Sequence, residues 1–222
     1  MTGRSIILDF NGVVVDDEPL HFRAVQSTLA EVGEAFEESD YFERYFGFDD
    51  AECLATALAD RGRPPIGADA VAELVARKSE HYLALIADGV PLFPGIPAFV
   101  TAAAARCPLA IASGARRTEI EHILQQVGLR QHFSALASAD DVPNGKPHPG
   151  VYLEAARRLG VAPARCVAID DAPHGIRAAR AAGMRCVAVT TSRPAGELVE
   201  ADRTVASLQD VDPGALLRDL LG

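Results

Sequence analysis

Short apolar segments alternate with amphipathic helical segments along most of this chain, and this alternation restricts the fold more than any other feature. The apolar segments are rich in Val, Ile and Ala, and each is followed by residues with helical spacing. Strands are predicted at 5–9, 109–112, 166–169 and 186–189, and helices at 116–127, 149–159 and 173–182. Strands that alternate with helices pair in parallel. The sequence therefore predicts an α/β fold with a doubly wound, Rossmann-like parallel sheet, and with ligands bound where the strands end.

The region from 17 to about 88 differs, because helical spacing dominates it and no convincing strand interrupts it. Helices are predicted there at 21–32, 40–45, 50–59 and 68–85. We interpret this region as an all-helical cap inserted after the first strand. The predicted domains are a core at 1–15 and 89–222 and a cap at 16–88. The two chain crossings, near Asp16 and Gly89, are candidate hinges.

The charge of the chain restricts its partners. The sequence has 21 Lys and Arg against 31 Asp and Glu, a net charge of −10, which repels nucleic acid and anionic lipid. No apolar run approaches the roughly 20 residues of a membrane span. The four cysteines are scattered, which favours reduced thiols in the core. We expect a cytoplasmic protein, a monomer or homodimer, that takes a small molecule and has no nucleic-acid or membrane partner.

The first predicted strand ends at Asp9, which is followed by Asn11 and Gly12. Sheet packing would hold such a carboxylate on one side and leave it open to solvent on the other. A carboxylate in this position can attack a phosphoryl group and form an acyl phosphate. A second interpretation is that Asp9 only caps a turn.

Three further segments place phosphate-binding or metal-binding groups at predicted strand ends or loops. Ser113 and Gly114 can donate their O–H and backbone N–H groups to a phosphate oxygen, although Ser is also an ordinary helix N-cap. Lys146 lies in a loop stiffened by prolines, where a point charge suits phosphate, although a lone lysine is more often solvated. Asp170 and Asp171, together with the carboxylate after the first strand, offer the oxygen ligands that Mg²⁺ accepts.

In order and spacing, these four segments resemble the complete motif set of the haloacid dehalogenase-like superfamily, and the resemblance extends over nearly the whole chain. The segment 17–24 also resembles the first cap helix of the family's phosphatases and beta-phosphoglucomutase-like members. The resemblance implies that Asp9 is the nucleophile and that Ser113 and Lys146 hold the phosphoryl oxygens. It thereby implies an enzyme, a phosphoric monoester hydrolase, with a helical cap.

The resemblance also implies a Mg²⁺ cofactor. Asp171 would coordinate the ion together with Asp9, and Asp170 would either support Asp171 or bind through water. The backbone carbonyl of Asn11 would be a further ligand, a role that does not depend on the side chain.

The side chain of Asn11 departs from the family pattern, which has a second Asp at this position. In the family's phosphatases that Asp protonates the leaving oxygen and later activates water, and a carboxamide cannot do either. Three explanations stay open. The chain is a disabled variant that traps a bound state, it uses another proton carrier such as His21 or Glu18, or it has turned from turnover to binding.

Substrate choice is expected in the cap, with His21, Lys78 and the segment 45–50 as candidate substrate-binding residues. We expect Mg²⁺-dependent hydrolysis of a small organic phosphate monoester through an aspartyl-phosphate intermediate, impaired by Asn11. A sugar-phosphate mutase is the first alternative. Against it, the segment 47–50 carries acids and a phenyl ring where those mutases place an arginine. A phosphate-ligand binding or regulatory protein with weak turnover is the alternative from another class.

Overall fold

The computed structural model describes residues 3–222, which divide into two compact units. One unit comprises the chain up to Asp16 together with Val90–Gly222, and the other comprises Asp17–Gly89. The sequence predicts an insertion at 16–88, so each boundary of this division lies one residue from the predicted one.

A six-stranded parallel sheet forms the centre of the first unit. The strand order is β3-β2-β1-β4-β5-β6, with β1 Ser5–Leu8, β2 Leu109–Ala112, β3 Ala135–Ala137, β4 Cys166–Asp170, β5 Arg185–Val189 and β6 Arg203–Val205. Ile7 of β1 lies opposite Ala110 on one side and Ala168 on the other. All four residues of β1 are buried, and three of them, Ile6, Ile7 and Leu8, form the apolar run by which the sequence marks this strand. The predicted α/β fold with a Rossmann-like parallel sheet is therefore confirmed.

The Asp17–Gly89 unit is built from helices that pack around an aromatic core. They are α1 Glu18–Glu31, α2 Glu38–Asp40, a π-helical turn Tyr41–Tyr45, α3 Asp50–Asp60 and α4 Ala68–Leu85. A single helix is predicted at 40–45, but α2 ends at Asp40 and the π-helical turn follows. This turn buries both Tyr41 and Tyr45, which pack with Phe22 and Phe36.

In the part of the chain that the structure describes, the first unit contains five α-helices. They are α5 Ile96–Ala104, α6 Arg117–Gln126, α7 Gly150–Leu159, α8 Pro173–Ala181 and α9 Pro213–Leu221. Gly128, Gly160 and Gly183 have φ angles of +70°, +66° and +81°, so the predicted glycine stops after α6, α7 and α8 are confirmed. Among the described residues, no helix combines the length and the apolar character that crossing a membrane requires.

Candidate active site

Parallel pairing brings the carboxyl ends of β1, β2 and β4 to one edge of the sheet. Asp9 follows β1, Ser113 follows β2, and Asp170 is the last residue of β4. The amide of Asp9 donates to the carbonyl oxygen of Ile169 at 2.9 Å, which extends the β1–β4 pairing to the strand end. Three of the predicted site residues therefore project from neighbouring strand ends.

The carboxylate of Asp9 is fixed by two donors and is partly open, with 14% of its side chain exposed. Oδ1 accepts a hydrogen bond from the Phe10 amide at 2.7 Å, and Oδ2 lies 2.8 Å from Lys146 Nζ. Burial raises the pKa of Asp9 from 3.8 to about 6; the ammonium of Lys146 opposes this rise, and the charge of Asp170 adds to it. The group is thus an oriented carboxylate whose negative charge is poorly solvated.

Three carboxylates gather at this edge. Asp9, Asp170 and Asp171 each offer an oxygen atom, and these atoms lie within 4.8 Å of one another. Asp170 is fully buried and Asp171 is only 5% exposed. Burial, followed by the charges of Asp170 and Asp9, raises the pKa of Asp171 well above its ordinary value. The cluster of acids could hold a metal ion, because a cation would relieve the mutual repulsion of these groups.

Gly12 allows the β1 turn to lie directly against this acidic cluster. It has a φ angle of +77°, and a Cβ atom built on it would lie 2.1 Å from Asp171 Oδ2. The amide of Gly12 donates to the Val15 carbonyl at 3.0 Å, which fixes the turn that carries Asn11. The carboxylate oxygens of the cluster are hard donors, and the backbone of the Gly12 turn packs directly against them. Such donors suit Mg²⁺, so the residues present fit the ion that the sequence predicts.

Lys146 supplies the positive charge of the site. Its Nζ lies 2.8 Å from an oxygen of Asp9 and 2.8 Å from an oxygen of Asp170, and its side chain is 13% exposed. Burial alone would lower the pKa of Lys146, but the two carboxylates outweigh burial and raise it. The side chain is therefore a permanent ammonium at this site, suited to an anionic group.

Ser113 and Asn11 face each other beside the acids. Ser113 is buried, and its Oγ donates to Asn11 Oδ1 at 3.4 Å while accepting from the Ala115 amide at 3.0 Å. Gly114 follows in the exposed loop after β2, where a Cβ atom would meet no other atom within 4 Å. The structure thus brings the predicted residues of four separate segments together at one edge of the sheet.

Sequence reasoning missed three hydroxyl groups at this site. The Tyr152 hydroxyl donates to Asp170 Oδ2 at 2.6 Å, and the Thr191 hydroxyl donates to the Gly12 carbonyl at 2.5 Å. Ser192 hydrogen-bonds to the Asp171 side chain. The position of Thr191 and Ser192, two and three residues after the last strand residue Val189, was the available signal. Tyr152 gave none, because it lies on the apolar face of α7.

The predicted substrate-binding residues His21 and Lys78 lie together in the Asp17–Gly89 unit. Lys78 is fully buried; its Nζ lies 2.6 Å from His21 Nδ1 and 2.8 Å from an oxygen of Asp50. His21 Nε2 lies 3.2 Å from Asp17. Burial and the charge of Lys78 lower the pKa of His21, but Asp17 and Asp50 together outweigh both and the pKa is raised. Glu18, the other predicted proton carrier, accepts a hydrogen bond from the Tyr41 hydroxyl at 2.5 Å.

Comparisons with known proteins agree with this geometry. The family model described as haloacid dehalogenase-like hydrolase matches residues 4–183. Hexitol phosphatase B of Escherichia coli (strain K12) is 32% identical over 97% of this chain and 96% of its own length. Fructose-1-phosphate phosphatase YqaB of the same strain is 31% identical over 83% of this chain and 95% of its own length.

A solved structure shows the same likeness. The crystal structure of CbbY from Rhodobacter sphaeroides in complex with phosphate has a TM-score of 0.84 and 30% identity, over 94% of this chain and 96% of that chain. The matched family model covers β1, β2 and β4, and therefore every strand end that contributes to the acidic edge. The chain belongs to the haloacid dehalogenase-like hydrolase family.

Proposed function

We propose that this chain is a Mg²⁺-dependent phosphatase that hydrolyses a small organic phosphate monoester through an aspartyl phosphate formed on Asp9. The observation that carries the proposal is the partly open carboxylate of Asp9, held 2.8 Å from the Lys146 ammonium and beside two further carboxylates. An oriented nucleophile, a fixed cation and a cluster of oxygen donors are the groups that phosphoryl transfer needs. The phosphatases among the relatives support the same class of reaction.

In this proposal, Asp9 Oδ2 attacks phosphorus while the bond between phosphorus and the ester oxygen breaks, and the released alkoxide takes a proton from water. Water later attacks the phosphorus of the aspartyl phosphate, which releases inorganic phosphate and restores the Asp9 carboxylate. The Ser113 hydroxyl and the Lys146 ammonium bind the phosphoryl oxygens, and the Gly114 amide adds a donor. The two bonds of Ser113 and the two ion pairs of Lys146 support this role, because they fix both side chains before any ligand arrives.

Asp9, Asp171 and the backbone carbonyl of Asn11 are the groups that we propose to hold Mg²⁺. When bound, the ion would neutralise charge on the phosphoryl group. Asp170 would support the site, since both of its oxygens already accept hydrogen bonds, from Lys146, from a tyrosine hydroxyl and from a backbone amide. Gly12 packs closely on Asp171, which supports the proposed role of the neighbouring Asn11 carbonyl as a ligand to the same ion.

Asn11 limits the proposed reaction. A carboxamide can orient the leaving oxygen or a water molecule, but it cannot give up or take a proton at neutral pH. A missing general acid or base commonly lowers the rate by about 10² to 10⁴, or roughly 3 to 5 kcal/mol of barrier. We therefore propose slow turnover in which an intermediate with a phosphorylated Asp9 is long-lived.

The proposed substrate is a sugar or polyol phosphate, because hexitol phosphatase and fructose-1-phosphate phosphatase are relatives over most of the chain. His21 and Lys78 remain the proposed substrate-binding residues of the 16–88 cap, on which selectivity would depend. Lys78 is buried with Asp50 and His21, so binding a substrate through its ammonium would require exchange of these partners. The four buried free thiols support the proposed cytoplasmic location, since they suit a reducing compartment.

An assay of phosphate release tests the proposal. A panel of hexitol phosphates, fructose 1-phosphate and glucose 1-phosphate would be incubated with the chain and Mg²⁺, with EDTA in parallel. We expect slow release that needs Mg²⁺ and that Asp9→Ala abolishes. Release that persists in Asp9→Ala would contradict an Asp9 nucleophile.

The same assay separates two other functions. Asn11 favours a phosphate-ligand binding protein, which would bind a panel member tightly and release no phosphate. A mutase would convert glucose 1-phosphate to glucose 6-phosphate. The segment 47–50 argues against a mutase, because it carries acids, including the Asp50 that pairs with Lys78, and no arginine for a second phosphate.

A further inference from the structure

Tyr152 is placed where packing explains its ring but not its hydroxyl. It lies on α7 with no exposed surface, and its neighbours in the core cluster are small apolar residues such as Ala155 and Ala168. A phenylalanine would fill the same space. The hydroxyl instead donates to Asp170 Oδ2 at 2.6 Å, and Lys146 Nζ lies 5.0 Å from the centre of the ring. The Tyr152 side chain thus contacts both the Asp170 carboxylate and the Lys146 ammonium.

Asp170 is held by donors on both of its oxygens. Oδ2 accepts hydrogen bonds from Lys146 Nζ at 2.8 Å and from the Tyr152 hydroxyl, and Oδ1 accepts from the Ala172 amide at 3.0 Å. Gly175 packs so closely that a Cβ atom there would lie 1.9 Å from Oδ2. Asp170 cannot rotate away from these partners, so it is a fixed anion against which the ammonium is placed.

Two carboxylates compete for one ammonium. Lys146 Nζ lies at the same distance, 2.8 Å, from Asp9 and from Asp170. A ligand phosphate must draw this ammonium toward itself, and Asp170 opposes that movement with its full negative charge. A hydroxyl donor on Asp170 Oδ2 spreads part of that charge, because a hydrogen bond to an ionised acceptor is a strong one. The donor weakens the hold of Asp170 on Lys146.

We propose that Tyr152 is a positioning residue: through its hydrogen bond to Asp170 it sets how far the Lys146 ammonium is available to a phosphate held beside Asp9. This inference rests on the proposed function, since it takes a phosphoryl group as the ligand. The inference adds Tyr152 of α7 to the pair that Lys146 and Asp170 form.

The test is the variant Tyr152→Phe, which keeps the ring over Lys146 and removes one hydroxyl. Binding of inorganic phosphate in the presence of Mg²⁺ would be measured by calorimetry on the full chain, well below the unfolding temperature. We expect the dissociation constant for phosphate to rise about tenfold, the size of effect that loss of one hydrogen bond to a charged group produces. An unchanged or lower dissociation constant overturns the inference.

Ser138→Ala is the matched control. Its hydroxyl is also buried in the same unit and also donates to an aspartate, Asp141 Oδ2, at 2.8 Å. Both variants lose stability, but we expect only Tyr152→Phe to lose phosphate affinity. An equal loss in both variants would mean that a general loosening of the fold is responsible, and would overturn the inference.

Replacing Tyr152 alone with 3-fluorotyrosine provides a second measurement in case Tyr152→Phe does not fold. Its more acidic hydroxyl is a stronger donor, so the labelled chain is expected to bind phosphate more tightly; weaker or equal binding overturns the inference. If the unlabelled wild-type chain with Mg²⁺ binds no phosphate at all, the proposed function fails instead, and the two failures are thereby distinguished.

Discussion

At the scale of single residues, negative charge exceeds positive charge at the site. Three carboxylates, Asp9, Asp170 and Asp171, gather around the ammonium of Lys146, the one cation that pairs with them among the described residues. Burial and mutual repulsion raise the pKa of both Asp9 and Asp171. A second acid at position 11 would add another negative charge, so Asn11 makes the site less repulsive to an anionic ligand while removing a proton carrier.

We predict that Asn11→Asp increases phosphatase activity about tenfold or more, because a carboxylic acid can protonate the leaving oxygen and a carboxylate can then activate water. The measurement is kcat for the best substrate of the panel, with the double variant Asp9→Ala/Asn11→Asp as the inactive control. An unchanged or lower kcat would show that the carboxamide is not what limits turnover.

A second residue-scale prediction concerns Gly12, for which the chain offers a matched control. Gly12 and Gly62 both have a φ angle of +77°, but a Cβ atom on Gly62 meets nothing within 4 Å, whereas one on Gly12 would meet Asp171 at 2.1 Å. We expect Gly62→Ala to cost about 1 to 2 kcal/mol of unfolding free energy, the usual cost of a left-handed alanine.

Gly12→Ala carries the same backbone cost and also displaces the Asp171 carboxylate. We therefore expect it to be less stable than Gly62→Ala in urea denaturation and to lose Mg²⁺ binding in calorimetry. Equal stability of the two variants, with Mg²⁺ binding retained, would contradict the idea that this glycine serves the acidic cluster.

These residues also show what a sequence can reveal about a site. Asp9, Ser113 and Asp170 were predictable because each directly follows or ends a strand, and parallel strands bring such ends together. Tyr152 was not, because its partner Asp170 is 18 residues away and its own position fits an ordinary buried face of a helix. Hydrogen bonds between elements depend on packing that local spacing does not encode.

At the scale of elements, the difference between local sequence signals and contacts made by packing explains why β3 and β6 were not predicted. β2 has the predicted bounds, Leu109–Ala112, because four consecutive apolar residues are a strong local signal. β3, Ala135–Ala137, is short and alanine-rich, and its identity comes from pairing with β2, in which Leu136 lies opposite Ile111. β6 lies at the sheet edge with two exposed residues, so it lacks the apolar pattern altogether.

One carboxylate joins several elements on the β3 side of the sheet. Asp141 accepts hydrogen bonds from the Ser138 amide and hydroxyl, from Arg117 of α6 at 2.5 Å and from Arg158 of α7 at 2.6 Å. Burial alone would raise the pKa of Asp141, but the bonds from Arg158 and Ser138 lower it from 3.8 to about 2.

A carboxyl group whose folded pKa is lowered stabilises the protein above its unfolded pKa. The contribution of Asp141 is therefore complete above about pH 4 and disappears as the pH falls through about 2. We predict that Asp141→Asn lowers the unfolding free energy by about 2 kcal/mol near neutral pH, since each pKa unit corresponds to about 1.4 kcal/mol. Urea denaturation measures this difference.

Asp219→Asn is the control for this prediction, because Asp219 lies 3.6 Å from Arg203 with 60% of its side chain exposed. Exposed ion pairs contribute about 0 to 1 kcal/mol. If Asp141→Asn cost no more than Asp219→Asn, the bonds around Asp141 would be shown to contribute no more than a surface pair.

At the scale of the whole molecule, a chain of net charge −10 is proposed to take an anionic ligand at a site lined by carboxylates. One lysine cannot balance the cluster, so the fold retains a repulsion that lowers its own stability unless a cation is present. Stability and metal binding should therefore depend on pH together.

The sign of this coupling follows from the raised pKa of Asp9 and Asp171. A carboxyl group with a raised folded pKa binds its proton more tightly in the folded state, so the metal-free protein loses stability as the pH rises from about 4 through the folded pKa, about 6 for Asp9. Bound to the ionised carboxylates as proposed, Mg²⁺ would reverse this loss. We predict that the increase in Tm on replacing EDTA with Mg²⁺ is large near pH 8 and small near pH 5; saturation at about 100 times the dissociation constant corresponds to about 2.7 kcal/mol.

Scanning calorimetry at the two pH values measures the increase, and Asp171→Asn is the informative variant. Its neutral carboxamide removes one repelling charge, so the metal-free Tm near pH 8 should rise above that of the wild type while the increase produced by Mg²⁺ disappears. An increase of the same size at both pH values, or one that survives in Asp171→Asn, would mean that Mg²⁺ stabilises the protein from somewhere other than this edge of the sheet.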